Sequence, residues 1–280
     1  MNVLLTGATG FIGRYTLNQL IHSGFKVRVV SRKKIPNNFQ NIKNIEWINC
    51  EFSGLKDSYL RNIDSIINLA AAGVSPKKAT LEEMIEININ FPIRLLMMAS
   101  KKNVKRFISV GTCYEYGHKE KNNLCKPYDR LDPIGIYAAT KASSFFALKQ
   151  LSSELGIDFC YGRIFNAYGK SEENNTFWQL LYKSAKSGTD FSMTTGEQVR
   201  DFIHVENVAK ILVKICALSD EKIITPYIFN IGTGKAQKLK DFAFKEWSFL
   251  KAKGKLNIGA ISQRKNEPQY IVADVSNLIY

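Results

Sequence analysis

A glycine-rich turn near the start of the chain constrains the fold more than any other feature. Residues 3–5 predict a buried strand, and residues 11–21 predict a helix; Gly7, Gly10 and Gly13 fall in the turn and the first helical turn. Such a turn lets the backbone approach a pyrophosphate, while the helix N-terminus offers free N–H groups and partial positive charge. The spacing is G-x-x-G-x-x-G rather than G-x-G-x-x-G, but its place between strand and helix favours a dinucleotide site over a purely structural turn.

Strand-like and helix-like segments alternate through the first 165 residues. Further buried strands are predicted at 26–30, 45–49, 65–69, 106–110 and 159–163, and helices at 81–102 and 137–155. This alternation predicts an α/β protein of the Rossmann type, with a doubly wound parallel sheet and helices on both faces. Ligands of such sheets bind outside the carboxyl ends of the strands.

The last third of the chain is less regular, as expected for a smaller C-terminal substrate-binding region. Helices are predicted at 177–187 and 208–218 and a strand at 227–231. We expect residues 1–165 to form the dinucleotide-binding domain, with about 199–231 returning to it, and 166–280 to be mainly the substrate-binding region. A helix is predicted to start at Asp274, and the end of the sequence curtails it.

Composition limits the partners and the compartment. The basic residues behind the net charge of +14 are scattered and accompany no nucleic-acid motif, so we expect no nucleic-acid partner. No apolar run approaches the ~20 residues that span a bilayer, and no signal peptide is indicated. Five cysteines without a C-x-x-C, with three histidines, predict no metal site. We expect a cytoplasmic protein without membrane insertion, with reduced thiols and with Cys160 and Cys216 in the core.

Tyr137 and Lys141 form a Y-x-x-x-K pair within a predicted helix. Side chains at i and i+4 share one helix face, so the phenol and the ammonium point the same way. A free tyrosine has a pKa near ~10. A lysine cation, and a cationic oxidised nicotinamide, would lower that pKa, and the pair could then pass a proton to or from a sugar or alcohol oxygen. By itself the pattern is common on protein surfaces.

A hydroxyl candidate lies upstream, at the carboxyl end of the strand 106–110. Residues 109–117 read S-V-G-T-C-Y-E-Y-G, which places Ser109 and Thr112 near the same cleft. Thr112 could hydrogen-bond the oxygen that Tyr137 protonates. Both hydroxyls could instead cap backbone groups in a turn.

Taken together, these motifs resemble the extended short-chain dehydrogenase/reductase family, which comprises nucleotide-sugar epimerases, dehydratases and reductases. The resemblance covers nearly the whole chain and includes T-G-A-T-G-F-I-G at 6–13, N-L-A-A at 68–71 and Asn88 in the central helix. It implies a homodimer and the catalytic set Thr112, Tyr137 and Lys141, with Ser109 as the second choice of hydroxyl. It also implies a set of cofactor-binding residues: Gly7, Gly10, Phe11, Ile12, Gly13, Ser31, Arg32, Leu69, Ala70, Ala71, Tyr137 and Lys141.

Later segments extend the resemblance to a substrate site for a nucleotide-diphosphate sugar. The segment R-I-F-N-A-Y-G at 163–169 implies that Asn166 meets the substrate. R-D-F-I-H-V implies that Arg200 reaches the diphosphate, and Q-R-K-N-E-P implies the same for Arg264. An arginine suits this task because its planar fork pairs phosphate oxygens bidentately. Arg200 and Asp201 could alternatively form a plain ion pair.

Departures from the family pattern narrow the activity. Dehydratases follow the catalytic threonine with Asp-Glu, where this chain has Cys113-Tyr114, and the epimerase-reductases that make fucose nucleotides need a cysteine and a histidine where it has Tyr114 and Ser171. We disfavour both, and interpret Cys113 as a packed thiol. The motifs look most like NAD(P)H-dependent 4-ketoreductases of nucleotide-linked 6-deoxyhexoses, the 6-deoxytalose and abequose types that serve bacterial surface polysaccharides. The alternatives are a nucleotide-sugar 4-epimerase and a non-catalytic NAD(P)-binding sensor protein.

The end of the second predicted strand bears on the choice of cofactor. NAD-selecting enzymes usually carry Asp or Glu there to hold the ribose 2′-hydroxyl. This chain has Ser31-Arg32-Lys33, and Arg32, helped by Lys33, could bind a 2′-phosphate. NADP(H) is therefore favoured. NAD(H) remains possible if these cations only solubilise the loop.

Overall fold

A seven-stranded parallel sheet forms the centre of the structure, a computed structural model that describes residues 1–74, 79–170, 176–219, 224–263 and 265–279. Its strands are β1 (Asn2–Thr6), β2 (Lys26–Ser31), β3 (Ile45–Asn49), β4 (Ser65–Asn68), β5 (Arg106–Thr112), β6 (Asp158–Ile164) and β11 (Tyr227–Ile231). The shorter strands are β7 (Asn166–Tyr168), β8 (Phe191–Met193), β9 (Val199–Arg200), β10 (Phe202–His204), β12 (Gln237–Lys238), β13 (Leu256–Ile258) and β14 (Tyr270–Ile271). The strand order β11-β6-β5-β4-β1-β2-β3 confirms the predicted Rossmann-type fold.

The helices are α1 (Phe11–His22), α2 (Leu81–Ile85), α3 (Phe91–Ser100), α4 (Gly135–Leu155), α5 (Phe177–Ser187), α6 (Val205–Ala217) and α7 (Leu239–Phe249). The segment predicted as one helix over 81–102 is α2 and α3 joined by a π-helical turn, Glu86–Asn90. Helix α6 begins three residues earlier than predicted. There His204 accepts a hydrogen bond from the Glu206 N–H and caps the helix.

Alternating apolar residues on the strands bury both faces of the sheet. Val3 and Leu5 of β1 belong to one apolar cluster, which α1 and α6 cover, and Leu4 belongs to another, which α3 and α4 cover. Successive strand side chains point to opposite faces, so a continuously apolar strand indicates a sheet that is covered on both sides.

The strand order reverses between β1 and β4, which are neighbours in the sheet although they are far apart in the chain. In an open parallel sheet this reversal leaves a crevice outside the carboxyl ends of the strands, and ligands bind there. Both ends of the crevice are formed by the loops that carry the sequence motifs, the β1–α1 turn and the loop after β4.

A smaller region is built from the chain after β6. Helices α5 and α7 enclose an apolar cluster of their own, which includes Leu181, Phe191 and Trp247. Helix α6 and strand β11 lie instead against the main sheet, where α6 packs on α1 and β11 pairs with β6.

The prediction of a helix that starts at Asp274 is wrong: residues 274–279 form no helix. The Asp274 carboxylate accepts a hydrogen bond from the Ser276 N–H at 2.9 Å and forms a local turn. The Asn277 side chain then donates to the Ile228 carbonyl at 2.8 Å, which anchors the segment along β11. Asp commonly makes such side-chain to backbone bonds, which compete with helix formation.

In the part of the chain that the structure describes, no helix is long and apolar enough to cross a membrane.

Candidate active site

The β1–α1 turn packs directly against the backbone of the loop that follows β4. Gly7 has a φ of +72°, and a Cβ there would lie 2.5 Å from the carbonyl carbon of Leu69. A Cβ on Gly13 would lie 2.0 Å from the Gly7 carbonyl oxygen. Both positions therefore require glycine, and the turn brings the N-terminus of α1 to the carboxyl end of β1. This backbone cradle has the form that a dinucleotide pyrophosphate requires.

Buried hydrogen bonds fix the loop after β4, which provides the other wall of the cradle. The Thr6 hydroxyl donates to Asn68 Oδ1 at 2.6 Å and accepts from the Ala70 N–H at 3.3 Å. Asn68 Nδ2 lies 3.5 Å from the Ser109 hydroxyl oxygen. Ser109 is thus enclosed between strands, whereas Thr112 lies at the carboxyl end of β5.

The turn after β2 contains the residues predicted to choose the cofactor. The Ser31 hydroxyl accepts a hydrogen bond from the Lys33 N–H at 3.1 Å. Arg32 is exposed, and its guanidinium carbon lies 5.6 Å from the centre of the Phe52 ring. Residues 31–36 contain no carboxylate, so the only charges of this turn are positive.

Helix α4 brings the predicted phenol and ammonium to the end of β5. Thr112 begins a short 3-10 helix (Cys113–Tyr116), and its hydroxyl accepts from the Tyr114 N–H at 3.4 Å. Helix α4 packs against this short helix and against β5. Tyr137 is half-buried and Lys141 is buried, one helical turn apart on the same helix.

Electrostatics at this point differ from the expectation that Lys141 lowers the pKa of Tyr137. Burial, followed by the negative charge of Glu115, raises the pKa of the Tyr137 phenol. Burial lowers the pKa of Lys141 to about 8, and Glu115 opposes that shift. The expected lowering is therefore wrong for the protein's own groups, because burial of the phenol raises its pKa. At neutral pH the phenol keeps its proton and most of the lysine keeps its charge.

Glu115 is the residue of this site that sequence reasoning missed. It is fully buried, and its carboxylate accepts hydrogen bonds from the Thr112 N–H at 2.8 Å, the Tyr161 hydroxyl at 3.0 Å and Arg163 Nε at 2.7 Å. The spacing T-x-x-E from Thr112 to Glu115 is that of a capping box, which the short helix forms. That spacing could have identified Glu115 as a partner of the Thr112 backbone.

Asn88 connects the β4 loop to helix α4 through the π-helical turn. Its side chain accepts from the Ala72 N–H at 2.9 Å and donates to the Ala72 carbonyl at 3.0 Å. It also donates to the Thr140 hydroxyl at 3.0 Å, one residue before Lys141. The central-helix asparagine therefore links the loop of the cradle to the helix that carries Tyr137.

Of the two predicted substrate arginines, Arg200 lies among the described residues. It is buried and paired. Its guanidinium donates to Glu267 Oε1 at 3.1 Å and to the Val199 carbonyl at 2.9 Å. Burial raises the pKa of the neighbouring Tyr114 phenol, and a hydrogen bond with Arg200 opposes this. Asn166 is half-buried at the start of β7, with Nδ2 3.4 Å from the Asp201 carbonyl oxygen.

The alternative of a plain ion pair between Arg200 and Asp201 is wrong. The Asp201 carboxylate accepts instead from the Thr233 N–H, the Thr233 hydroxyl and the Gly234 N–H, at 2.6 to 2.8 Å. Arg264, the second predicted diphosphate arginine, lies outside the described residues. So does Ser171, which stands where the fucose-nucleotide enzymes have a histidine.

The cysteines are free, and four of the five, including Cys113, Cys160 and Cys216, are buried. The expectation of core positions for Cys160 and Cys216 is confirmed. Among the residues that the structure describes, no group of three or more His, Cys, Asp or Glu side chains could hold a metal ion.

The doubly wound sheet and the glycine cradle define a dinucleotide-binding enzyme fold. Residues 3–232 match the NAD dependent epimerase/dehydratase family. The chain belongs to this family, because the match covers most of its length. The resemblance inferred from the motifs is thereby confirmed.

Two curated relatives and one solved structure illustrate the similarity. The chain is 29% identical to a CDP-abequose synthase of Salmonella typhimurium, over 99% of this chain and 90% of that protein. It is 24% identical to the dTDP-6-deoxy-L-talose 4-dehydrogenase (NAD(+)) of Aggregatibacter actinomycetemcomitans, over 86% of this chain and 77% of that protein. A UDP-N-acetylglucosamine 4-epimerase from Methanobrevibacter ruminantium, solved with UDP-N-acetylmuramic acid, is 25% identical with a TM-score of 0.88, over 99% of this chain and 90% of that chain.

Proposed function

We propose that this protein is an NAD(P)H-dependent oxidoreductase that reversibly reduces the C4 keto group of a nucleotide-linked 6-deoxyhexose. The observation that carries the proposal is the set of Thr112, Tyr137 and Lys141 beside a dinucleotide cradle, with Cys113-Tyr114 where a dehydratase needs two carboxylates. Similarity to an abequose synthase and a 6-deoxytalose 4-dehydrogenase supports it. The product would be a precursor of a bacterial surface polysaccharide.

The nicotinamide, when bound, supplies the hydride that reduces C4. The backbone of the glycine turn and of residues 69–71 holds the dinucleotide, together with the side chains of Tyr137 and Lys141. Tyr137 donates its phenolic proton to the C4 oxygen. Its raised pKa suits a proton donor, because the phenol remains protonated at neutral pH. Thr112 orients the carbonyl oxygen, and Lys141 holds the ribose.

A panel of nucleotide sugars tests the proposal. Purified protein is mixed with NADPH or NADH and with 4-keto-6-deoxyhexoses linked to CDP, dTDP, UDP or GDP, and the absorbance of the reduced cofactor is followed. We expect stoichiometric oxidation of the cofactor, with a C4 carbinol identified by NMR. Absence of turnover on every keto sugar, with NAD(P) still bound, would instead identify a sensor protein.

A 4-epimerase is the second candidate, favoured by the similarity in fold to the UDP-N-acetylglucosamine 4-epimerase. An epimerase returns the hydride to the same sugar, so it interconverts two nucleotide hexoses without net oxidation of the cofactor. The same panel, extended to UDP-hexoses without a keto group, distinguishes the two by NMR of the sugar and absorbance of the cofactor.

We propose a preference for NADP(H) through Arg32, helped by Lys33. Replacing Arg32 by alanine is expected to weaken NADPH binding roughly 10- to 100-fold, since charged hydrogen bonds contribute about 1.5–3 kcal/mol. NADH binding should change little. Fluorescence titration of both cofactors measures this. Lys43→Ala, an exposed cation just before β3, is the control for net charge. Equal affinities of the parent protein for NADH and NADPH would contradict the preference.

We propose that Arg200, together with Arg264, holds the substrate diphosphate, and that Asn166 contacts the sugar. Replacing Arg200 by alanine in a Glu267→Gln background, which avoids a half-buried carboxylate without its cation, should raise KM for the nucleotide sugar roughly 10- to 100-fold relative to that background. The inhibition constant of the free nucleoside diphosphate should rise in parallel, while cofactor affinity stays constant. An unchanged inhibition constant would remove Arg200 from the diphosphate site.

We propose a cytoplasmic homodimer in which residues 166–280 mainly bind the substrate, while the segment of about 199–231 also contributes to the dinucleotide-binding domain. Light scattering coupled to size exclusion measures the mass in solution. A mass of one chain would contradict the dimer.

A further inference from the structure

The carboxylate of Glu115 contacts Thr112 directly and is connected to helix α4 through the Tyr161 hydroxyl. It receives the Thr112 N–H at 2.8 Å, which fixes the backbone that carries the Thr112 hydroxyl. It also contacts the Tyr161 hydroxyl at 3.0 Å, and that hydroxyl lies 3.2 Å from the Lys141 carbonyl oxygen in helix α4. Glu115 and Tyr161 together therefore connect the end of β5 to the helix that carries Tyr137 and Lys141.

The space for this carboxylate is built into the strand beneath it. A Cβ on Gly111 would lie 2.1 Å from Glu115 Oε1 and 2.5 Å from the Tyr161 hydroxyl. Arg163 is 1% exposed and completes the site with its Nε–H at 2.7 Å, while its other donors reach the Pro127 carbonyl and the Tyr116 hydroxyl. The carboxylate is thus held in one position by three donors.

We propose that Glu115 is a positioning residue: it fixes Thr112 directly, it holds helix α4 through the Tyr161 hydroxyl, and its carboxylate favours the ammonium form of Lys141. The inference rests on the proposed function, because it assigns Glu115 a task in the same proton transfer.

The charges around Glu115 determine the sign of its effect. Arg163, Tyr161 and Thr112 contact the carboxylate directly, and Tyr116 lies beyond Arg163. Burial lowers the pKa of Lys141 to about 8, and the negative charge of Glu115 opposes this shift. The same charge raises the pKa of Tyr137. Loss of the Glu115 charge should therefore lower both pKa values and leave Lys141 partly neutral at pH 7.

The test compares Glu115→Gln, the double variant Glu115→Gln/Arg163→Gln, and Glu115→Asp. The double variant removes the buried cation that the single change leaves unpaired, and Glu115→Asp keeps the charge while shortening the side chain. Asp158→Asn is the matched control. Asp158 forms an ion pair with Arg106 and lies on β6 at the opposite end from Arg163. Protein labelled with ¹³C-lysine is titrated by NMR without added ligand, and the Lys141 signal is assigned by its loss in Lys141→Met.

We expect Glu115→Gln to lower the pKa of Lys141 by about one unit. The double variant also removes the Arg163 cation, whose loss acts in the opposite direction, so its shift should be smaller. In Glu115→Gln the basic limb of the kcat–pH profile for keto-sugar reduction should move down by the same amount, and kcat at pH 7 should fall about twofold, because about half of Lys141 is then neutral. Glu115→Asp should retain the Lys141 titration and lose kcat through displacement of Thr112. Asp158→Asn should leave both profiles in place.

An unchanged Lys141 titration and an unmoved basic limb in Glu115→Gln would overturn the inference while the proposed function stands. Failure of the parent protein to reduce any nucleotide sugar would overturn the proposed function, and the NMR titration would then decide by itself whether Glu115 shifts the pKa of Lys141. If Glu115→Gln does not fold, the titration of the double variant is compared with that of Arg163→Gln, which isolates the loss of the carboxylate.

Discussion

Replacing Tyr137 by phenylalanine should leave NAD(P)H binding within about twofold of the parent and lower the turnover of a nucleotide 4-ketohexose by roughly 10²- to 10⁴-fold, the usual contribution of a positioned general acid. The phenyl ring fills the same half-buried position on α4, so the helix and the cradle should be unaffected. Without the hydroxyl, no proton is delivered to the C4 oxygen as the hydride arrives. Single-turnover absorbance of the bound reduced cofactor measures the chemical step directly.

Tyr128→Phe is the control for this experiment. Tyr128 is 69% exposed, so the substitution makes the same chemical change at the protein surface. Its turnover should equal that of the parent. The parent rate should be constant from neutral pH up to the basic limb of the kcat–pH profile, which the Lys141 pKa of about 8 sets. The raised pKa of Tyr137 keeps the phenol protonated over that range. Near-normal turnover by Tyr137→Phe would remove the phenol from the mechanism.

Local patterns were sufficient to predict most of the central fold. The strand, turn and helix at the N-terminus form from adjacent residues. The glycines stand at the positions, Gly7 and Gly13, where a side chain would collide with the backbone. Strand β3 and helix α5 have the bounds that apolar periodicity indicated. These elements depend on contacts near in sequence or on a simple apolar pattern, so the sequence alone constrains them.

Interactions between distant residues were not predictable in the same way. The partner of Arg200 is Glu267 rather than the adjacent Asp201, because the pairing of β9 with β14 brings the two segments together. The π-helical turn interrupts a segment whose periodicity indicated one helix, and from it Asn88 reaches the β4 loop and α4. The direction of the pKa shift at Tyr137 also required the structure, because burial of the phenol and the position of Glu115 decide it.

Asp201 provides the largest stability prediction. Its fully buried carboxylate accepts from the Thr233 N–H and hydroxyl, the Gly234 N–H and, at 3.3 Å, the Ala273 N–H. These bonds join the segment between β9 and β10 to the loop after β11 and to the segment after β14. Asp201→Asn keeps the shape but turns one acceptor into an NH2 group that faces N–H donors. Since hydrogen bonds to a charged group contribute about 1.5–3 kcal/mol each, we expect a loss of at least about 3 kcal/mol.

Urea unfolding followed by tryptophan fluorescence measures this loss. Glu197→Gln is the matched control: Glu197 is an exposed carboxylate whose partners are Lys238 and Lys240, and exposed ion pairs contribute little to stability. We expect its unfolding midpoint to be unchanged. The Asp201→Asn midpoint should fall, with the same sign at every pH at which the parent is folded, because the lost acceptor is a matter of geometry. Equal midpoints for the parent and Asp201→Asn would mean that the Thr233 and Gly234 donors find other acceptors, and that this carboxylate does not hold the substrate-side loops to the sheet.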